Sequence, residues 1–126
     1  MREINEAEDW LRSAKTLLEG SSASRERYTV VVAQCIHSVI RANDALSMNF
    51  LGRRAIRHDT APRLFLELIE ENKIPLRYAN LRKTINDAVQ LKSKVDYQGA
   101  EMSKADAKRW VNKAEKFLSA AKDSLG

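Results

Sequence analysis

Tyr28-Thr29-Val30-Val31-Val32-Ala33-Gln34-Cys35-Ile36-His37-Ser38-Val39-Ile40-Arg41-Ala42-Asn43-Asp44-Ala45-Leu46 is the stretch that decides the fold. Its opening residues, aromatic and β-branched, locally favour a strand. The apolar residues that follow do not alternate as a strand's would. Val31, Val32, Cys35, Ile36, Val39, Ile40 and Leu46 recur at helical spacing over several turns, which predicts one long helix across residues 24–48. It is the most hydrophobic segment of the chain, so it is expected at the centre of the fold.

The flanking segments follow the same period. Ile4, Ala7, Leu11, Ala14 and Leu18 mark a first helix over residues 3–19, stopped by Gly20. Glu3, Glu6, Glu8 and Asp9 crowd its first turns, where the helix dipole favours negative charge. Residues 49–59 read as a loop centred on Gly52. Thr60 and Pro62 then open a short helix ending near Asn72, with Leu64, Phe65, Leu68 and Ile69 inside. After Ile74-Pro75, a fourth helix is expected over residues 76–92, carrying Leu81, Ile85, Ala88 and Leu91 inward. A polar break follows, Lys92-Ser93-Lys94-Val95-Asp96-Tyr97-Gln98-Gly99. Ser103 with Asp106 resembles a capping box and starts a last helix over residues 104–124. Its core stripe is Ala107, Val111, Ala114, Leu118 and Ala121, widened by Trp110, Phe117 and Leu125. The expected fold is all-α: an up-and-down helical bundle of four long helices and one short one, in a single domain spanning residues 1–126.

Composition narrows the function. At 44% apolar and 31% charged, the chain reads as an ordinary soluble domain. No apolar run approaches the roughly 20 residues that span a bilayer, and the start has no signal-peptide core, so a cytoplasmic protein without membrane contact is expected. Cys35, alone and among apolar neighbours, reads as a buried, inert thiol. With two histidines and one cysteine at no ligand spacing, and no glycine-rich phosphate loop, neither metal nor cofactor is expected. Trp10 and Trp110 read as packing residues or dimer contacts.

The net charge of +5 is unevenly spread. Residues 1–20 carry three bases against five acids. Residues 53–63 hold Arg53, Arg54, Arg57 and Arg63 against Asp59 alone, and residues 77–94 hold Arg77, Arg82, Lys83, Lys92 and Lys94 against Asp87. A basic middle region permits binding to phosphates or to an acidic partner.

Three constellations carry chemistry, each beside a structural reading. Arg53-Arg54-Ala55-Ile56-Arg57-His58 combines permanent cations with a group that titrates near neutrality. That suits holding a phosphate and moving protons; a solvated basic loop is the simpler reading, since short charge clusters usually have no catalytic role. Asn43 and Asp44 sit near the end of the central helix, and a buried Asn either fixes packing or meets a ligand. In the break, Lys92 and Lys94 suit phosphates and Tyr97 suits a base, while Asp96-Tyr97 also suits a loop anchor. His37, on the flank of the central helix, reads as structural.

The layout resembles the HEPN domains. The likeness rests on Ala7-Glu8-Asp9-Trp10-Leu11-Arg12-Ser13-Ala14, on Ile40-Arg41-Ala42-Asn43-Asp44-Ala45-Leu46, and on His58 ahead of Leu64-Phe65-Leu66-Glu67-Leu68. It continues in Asp96-Tyr97, Ser103-Lys104-Ala105-Asp106-Ala107 and Ala114-Glu115-Lys116-Phe117-Leu118. The resemblance implies an up-and-down bundle, usually a homodimer, often paired with a small nucleotidyltransferase as a toxin–antitoxin couple. Active toxins of the family are metal-independent RNases with an Arg-x(4–6)-His motif after the long helices. Here the break holds Lys92, Asp96 and Tyr97 instead, and the Arg53-to-His58 match lies in an earlier loop. The resemblance therefore implies a non-catalytic binding protein able to take a nucleotide or RNA; the basic middle region and the polar set make Asn43, Asp44, Arg54, His58, Lys92, Lys94, Asp96 and Tyr97 the expected ligand residues. Two alternatives stay open: a ribonuclease using Arg53 or Arg57 with His58, and a module that only dimerises.

Overall fold

Helix α2 (Arg27–Leu51) runs through the middle of the protein, and every other α-helix packs on it. These are α1 (Arg2–Glu19), the short α3 (Ala61–Glu70), α4 (Arg82–Tyr97) and α5 (Lys104–Leu125). The computed structural model describes residues 1–20 and 24–126; the side chains of His58 and Tyr97 lie outside that description. Among the described residues there is no strand, so the protein is an all-α bundle of four long helices and one short one.

The β-branched run is helical because burial outweighs propensity. Val31 and Val32 are fully buried, as are Cys35 and Ala42, and Ile36 and Val39 nearly so. A β-branched residue loses only a few tenths of a kcal/mol in a helix relative to the best formers, whereas fully burying a Val or Ile side chain contributes about 1.5–3 kcal/mol. In its C-terminal half α2 is buried on nearly all sides, from Ala42 to Ser47.

Cross-links fix the register. Gln34 Nε2 donates to Ser13 Oγ at 2.8 Å, Ser38 Oγ to the Ala7 carbonyl at 2.7 Å, and Arg41 Nε to Glu6 at 2.7 Å, so α1 and α2 run antiparallel. Lys15–Glu115 (3.0 Å) and Lys122–Glu8 (2.5 Å) set α5 antiparallel to α1, and therefore parallel to α2. The Met102 backbone N–H donates to Thr29 Oγ1 at 3.0 Å, holding the start of α5 beside the start of α2. Ser103 and Asp106 form the expected capping box. Trp110 is buried in the core, whereas Trp10 lies on the surface, stacked on His37 with centroids 4.8 Å apart.

Three boundaries differ from the sequence expectation. Helix α2 continues to Leu51 and ends on Gly52, whose φ of 71° is a left-handed conformation open to glycine, so the loop is shorter than residues 49–59. Residues Leu76–Leu81 form a 3-10 helix before α4; none of them is fully buried, although Leu81 packs partly buried against the core as expected, and Arg77 and Tyr78 reach Asp123 at the end of α5. The break at residues 92–99 is largely helix. Lys92 and Asp96 pair at 2.5 Å one turn apart, which supports α4 through to Tyr97. The chain turns only at Gly99 (φ 65°), with the Ala100 N–H donating to the Lys94 carbonyl at 3.1 Å.

Candidate anion-binding groove

The left-handed turn at Gly52 throws the chain off α2 and lays residues 53–57 beside the first turns of α3. Arg53 pairs with Glu67 of α3, which staples the loop to the helix. At the other end the Thr60 N–H and Oγ1 both donate to the Arg57 carbonyl, at 3.1 and 2.7 Å, closing the 3-10 turn His58–Thr60. Pro62 sits in the first turn of α3, where its missing N–H has no partner to lose.

Between loop and helix lies an open groove of about 480 Å³ lined by Arg53, Arg54, Arg57 and Arg63 over a floor that includes Leu64. Arg57 holds Asp59 at 2.9 Å. Among the described residues Arg54 and Arg63 hold no carboxylate, so the groove keeps an excess of positive charge. Ile56, 99% exposed, stands at its rim.

Beneath α3, Asn43 is completely buried and its Nδ2 donates to the Ala61 carbonyl at 3.2 Å; its Oδ1 has no partner among the described residues. Asp44 is also buried and accepts from Arg41 Nη1 at 2.8 Å. Arg41 bridges Asp44 to Glu6 of α1. Burial alone would lower the Arg41 pKa, but the two carboxylates outweigh it and raise it. The hydrogen bond from Arg41 in turn holds Glu6 below its ordinary value. Asn43 and Asp44 thus act inside the packing.

The expected ligand set divides. Arg54 faces the groove; Asn43 and Asp44 lie in the interior. Lys92 and Asp96 pair with each other on α4, and Lys94 is exposed near the end of that helix. The backbone puts His58 at the start of the 3-10 turn whose Thr60 lines the groove, and Tyr97 at the end of α4; the side chains of both lie outside the described residues. Arg63 completes the groove and belonged to no sequence-derived site, although the charge run over residues 53–63 contained it.

Among the described residues no cluster of His, Cys, Asp and Glu could hold a metal ion. Cys35 is buried, and loss of solvation pushes its thiol up to about 12. No helix is long and apolar enough to cross a membrane, among the described residues.

The family model for the HEPN domain matches residues 2–124. The chain belongs to the HEPN domain family. No curated protein matches it. Membership carries a general nucleotide- or RNA-related role, which an arginine-lined groove suits chemically. In this HEPN protein the Arg53-to-His58 spacing falls on the loop bordering that groove, while the end of α4 carries Lys92 and Asp96 as an internal ion pair.

Proposed function

We propose that this HEPN protein is a binding and interaction protein whose arginine groove takes the phosphate of a nucleotide or short RNA. One observation carries the reading: Arg54 and Arg63 line the same groove with no carboxylate of their own among the described residues. Guanidinium groups are always charged and present paired donors that match phosphate oxygens. The apolar floor and exposed Ile56 add surface for a base or sugar. By family resemblance the protein works as a homodimer and pairs with a small nucleotidyltransferase as a toxin–antitoxin couple. Titration calorimetry tests the groove. Heat with ATP at low salt, lost in the Arg54→Ala/Arg63→Ala variant, supports it; no heat with ATP, other nucleotides or short RNA sinks the ligand part.

A second reading, RNA cleavage by Arg53 or Arg57 with His58, is favoured by one observation. Both arginines line the groove, and His58 follows Arg57 directly. In this reading the arginine stabilises the pentavalent phosphate and His58 serves as acid or base. Both arginines hold carboxylates, Glu67 and Asp59, which a substrate would first displace. RNA cleavage that survives His58→Ala rejects this mechanism.

A further inference from the structure

The cations of α5 fall into two sets. Arg109, Lys113 and Lys122 each hold a carboxylate: Asp106, Asp87 and Glu8. Lys104, Lys108 and Lys116 are exposed and hold none among the described residues. These three lie with Asn112 on one row of residues spaced four apart, with a rise of about 6 Å per step. Of the acids near the row, Asp106 and Glu115 are held by Arg109 and Lys15, and exposed Glu101, ahead of the helix, offsets one charge beside Lys104. The outer side of α5 therefore keeps a stripe of net positive charge.

Its position makes that charge unfavourable for the isolated protein. Lys104 is the first residue of the helix and Lys108 lies one turn further, at the end where the dipole repels cations. Like charges four apart also repel one another. An anion laid along the row would relieve both terms.

The stripe runs into a second groove, of about 520 Å³, between α5 and the 3-10 helix Leu76–Leu81. Asn112, Lys116, Ser119 and Glu115, whose carboxylate Lys15 holds, line one side, and Arg77, Tyr78 and Asn80 the other. Asp123 accepts from Arg77 at 2.8 Å and from Tyr78 Oη at 2.5 Å, and the Arg77 guanidinium lies over the Tyr78 ring at 4.8 Å. Arg77 is thereby held as a flat, exposed plate, a surface on which an unpaired base stacks. Two amides and a hydroxyl beside it supply donors and acceptors for base edges and sugar.

We infer that the Lys104–Lys108–Lys116 row and the Arg77/Asn80/Asn112 groove form a second binding surface, separate from the arginine groove, that takes the backbone and an unstacked base of single-stranded nucleic acid. Point-charge lysines spaced along a helix suit a repeating polyanion, and the stacking plate suits a base better than an acidic side chain. The inference does not rest on the arginine groove.

Fluorescence anisotropy of labelled oligo-uridylate with the full chain, across a salt series, tests it. Each neutralised phosphate of a single strand contributes about 0.7 to the slope of log K against log salt, so Lys104→Gln/Lys108→Gln/Lys116→Gln should flatten that slope by about 2 and weaken low-salt binding about tenfold or more. The same loss should appear in the Arg54→Ala/Arg63→Ala background, which separates this surface from the groove. An unchanged slope in the lysine variant overturns the inference, as does a parent protein that does not bind the oligomer. Poly-glutamate competing as well as the oligomer at equal charge assigns the stripe to acidic polypeptides instead and overturns it too. Photocrosslinking of 4-thiouridine RNA to the unmutated protein gives a reading independent of variant folding. Crosslinks within residues 76–82 or 108–119 are expected; crosslinks confined elsewhere overturn the proposal.

Discussion

Asn43 of α2 reaches the carbonyl of Ala61, the first residue of α3, across 3.2 Å, and both residues are completely buried. This bond fixes where α3 begins, and α3 supplies Arg63, Leu64 and Glu67 to the arginine groove. Replacing Asn43 with Ala removes the bond and leaves a small void, at a cost of about 1–3 kcal/mol. Asn43→Asp costs more, because it places an unpaired carboxylate against a carbonyl oxygen. Thermal unfolding followed by circular dichroism should show a drop of several degrees for Asn43→Ala and a larger one for Asn43→Asp. An unchanged midpoint in both would show that the bond does not hold α3.

The Arg53–Glu67 pair is half-exposed, so its worth lies in the groove more than in stability. Exposed ion pairs contribute about 0–1 kcal/mol, and Arg53→Ala should leave the unfolding midpoint almost unchanged. It also releases the Glu67 carboxylate into the groove. ATP affinity should therefore fall further in Arg53→Ala than in Arg53→Ala/Glu67→Gln, where no free carboxylate remains. Equal affinities in the two variants would show that Glu67 does not face the ligand.

What the sequence made legible follows physical range. The period of α2 and the Ser103–Asp106 box were readable because helix faces and caps depend on residues three or four apart. The polar run after Lys92 resembled a loop because its residues are hydrophilic, yet Lys92 and Asp96 stand one turn apart and pair on a helix. Composition suggested a break where spacing supported continuation. The 3-10 helix Leu76–Leu81 was hidden for another reason: its position depends on contacts such as Tyr78 with Asp123, far away in sequence. The grooves were the least legible. Arg63 joins Arg53 and Arg54 only because α3 folds back beside the loop, and Lys116 and Arg77 line one groove only because Arg77 and Tyr78 are tied to Asp123 of α5. One signal was nevertheless present: Lys104, Lys108 and Lys116 share helical spacing, on the side of α5 away from its apolar stripe.

The capping box gives a prediction localised to one helix end. Ser103 Oγ accepts from the Asp106 N–H at 3.1 Å, and Asp106 Oδ2 accepts from the Ser103 N–H at 2.9 Å. Ser103→Ala leaves an N–H of the first turn without its acceptor, at a cost of about 1 kcal/mol. Hydrogen exchange should speed up at the first turns of α5 and stay unchanged at its C-terminal end. Uniform acceleration along α5 would mean that the box acts on global stability alone.

Cys35 should be inert in the folded protein. Its side chain is completely buried, and burial pushes the thiol up to about 12, so almost no thiolate exists at neutral pH. Alkylation by iodoacetamide at pH 8 should follow the rate of unfolding and accelerate sharply in denaturant. Rapid modification without denaturant would contradict its burial between the helices.

Acid should loosen the bundle at two contacts between helices and one helix cap together. Glu6 is held below its ordinary value of 4.5 chiefly by the hydrogen bond from Arg41, Asp106 below 3.8 by the Ser103 backbone N–H, and Asp123 below 3.8 by Tyr78 and then Arg77. A carboxylate whose folded pKa is depressed contributes stability that is fully present above its unfolded pKa. That contribution is lost as pH falls through the folded value, because the unfolded chain then binds the proton more readily. The protein should therefore be equally stable from neutrality down to about pH 5, by these groups, and lose stability progressively below about pH 4.5. Urea unfolding at a series of pH values reads this directly. Tyr78→Phe removes the largest influence on Asp123, so its curve should fall less steeply below pH 4 than the parent's. If the two curves run parallel there, the Tyr78–Asp123 bond does not form in solution.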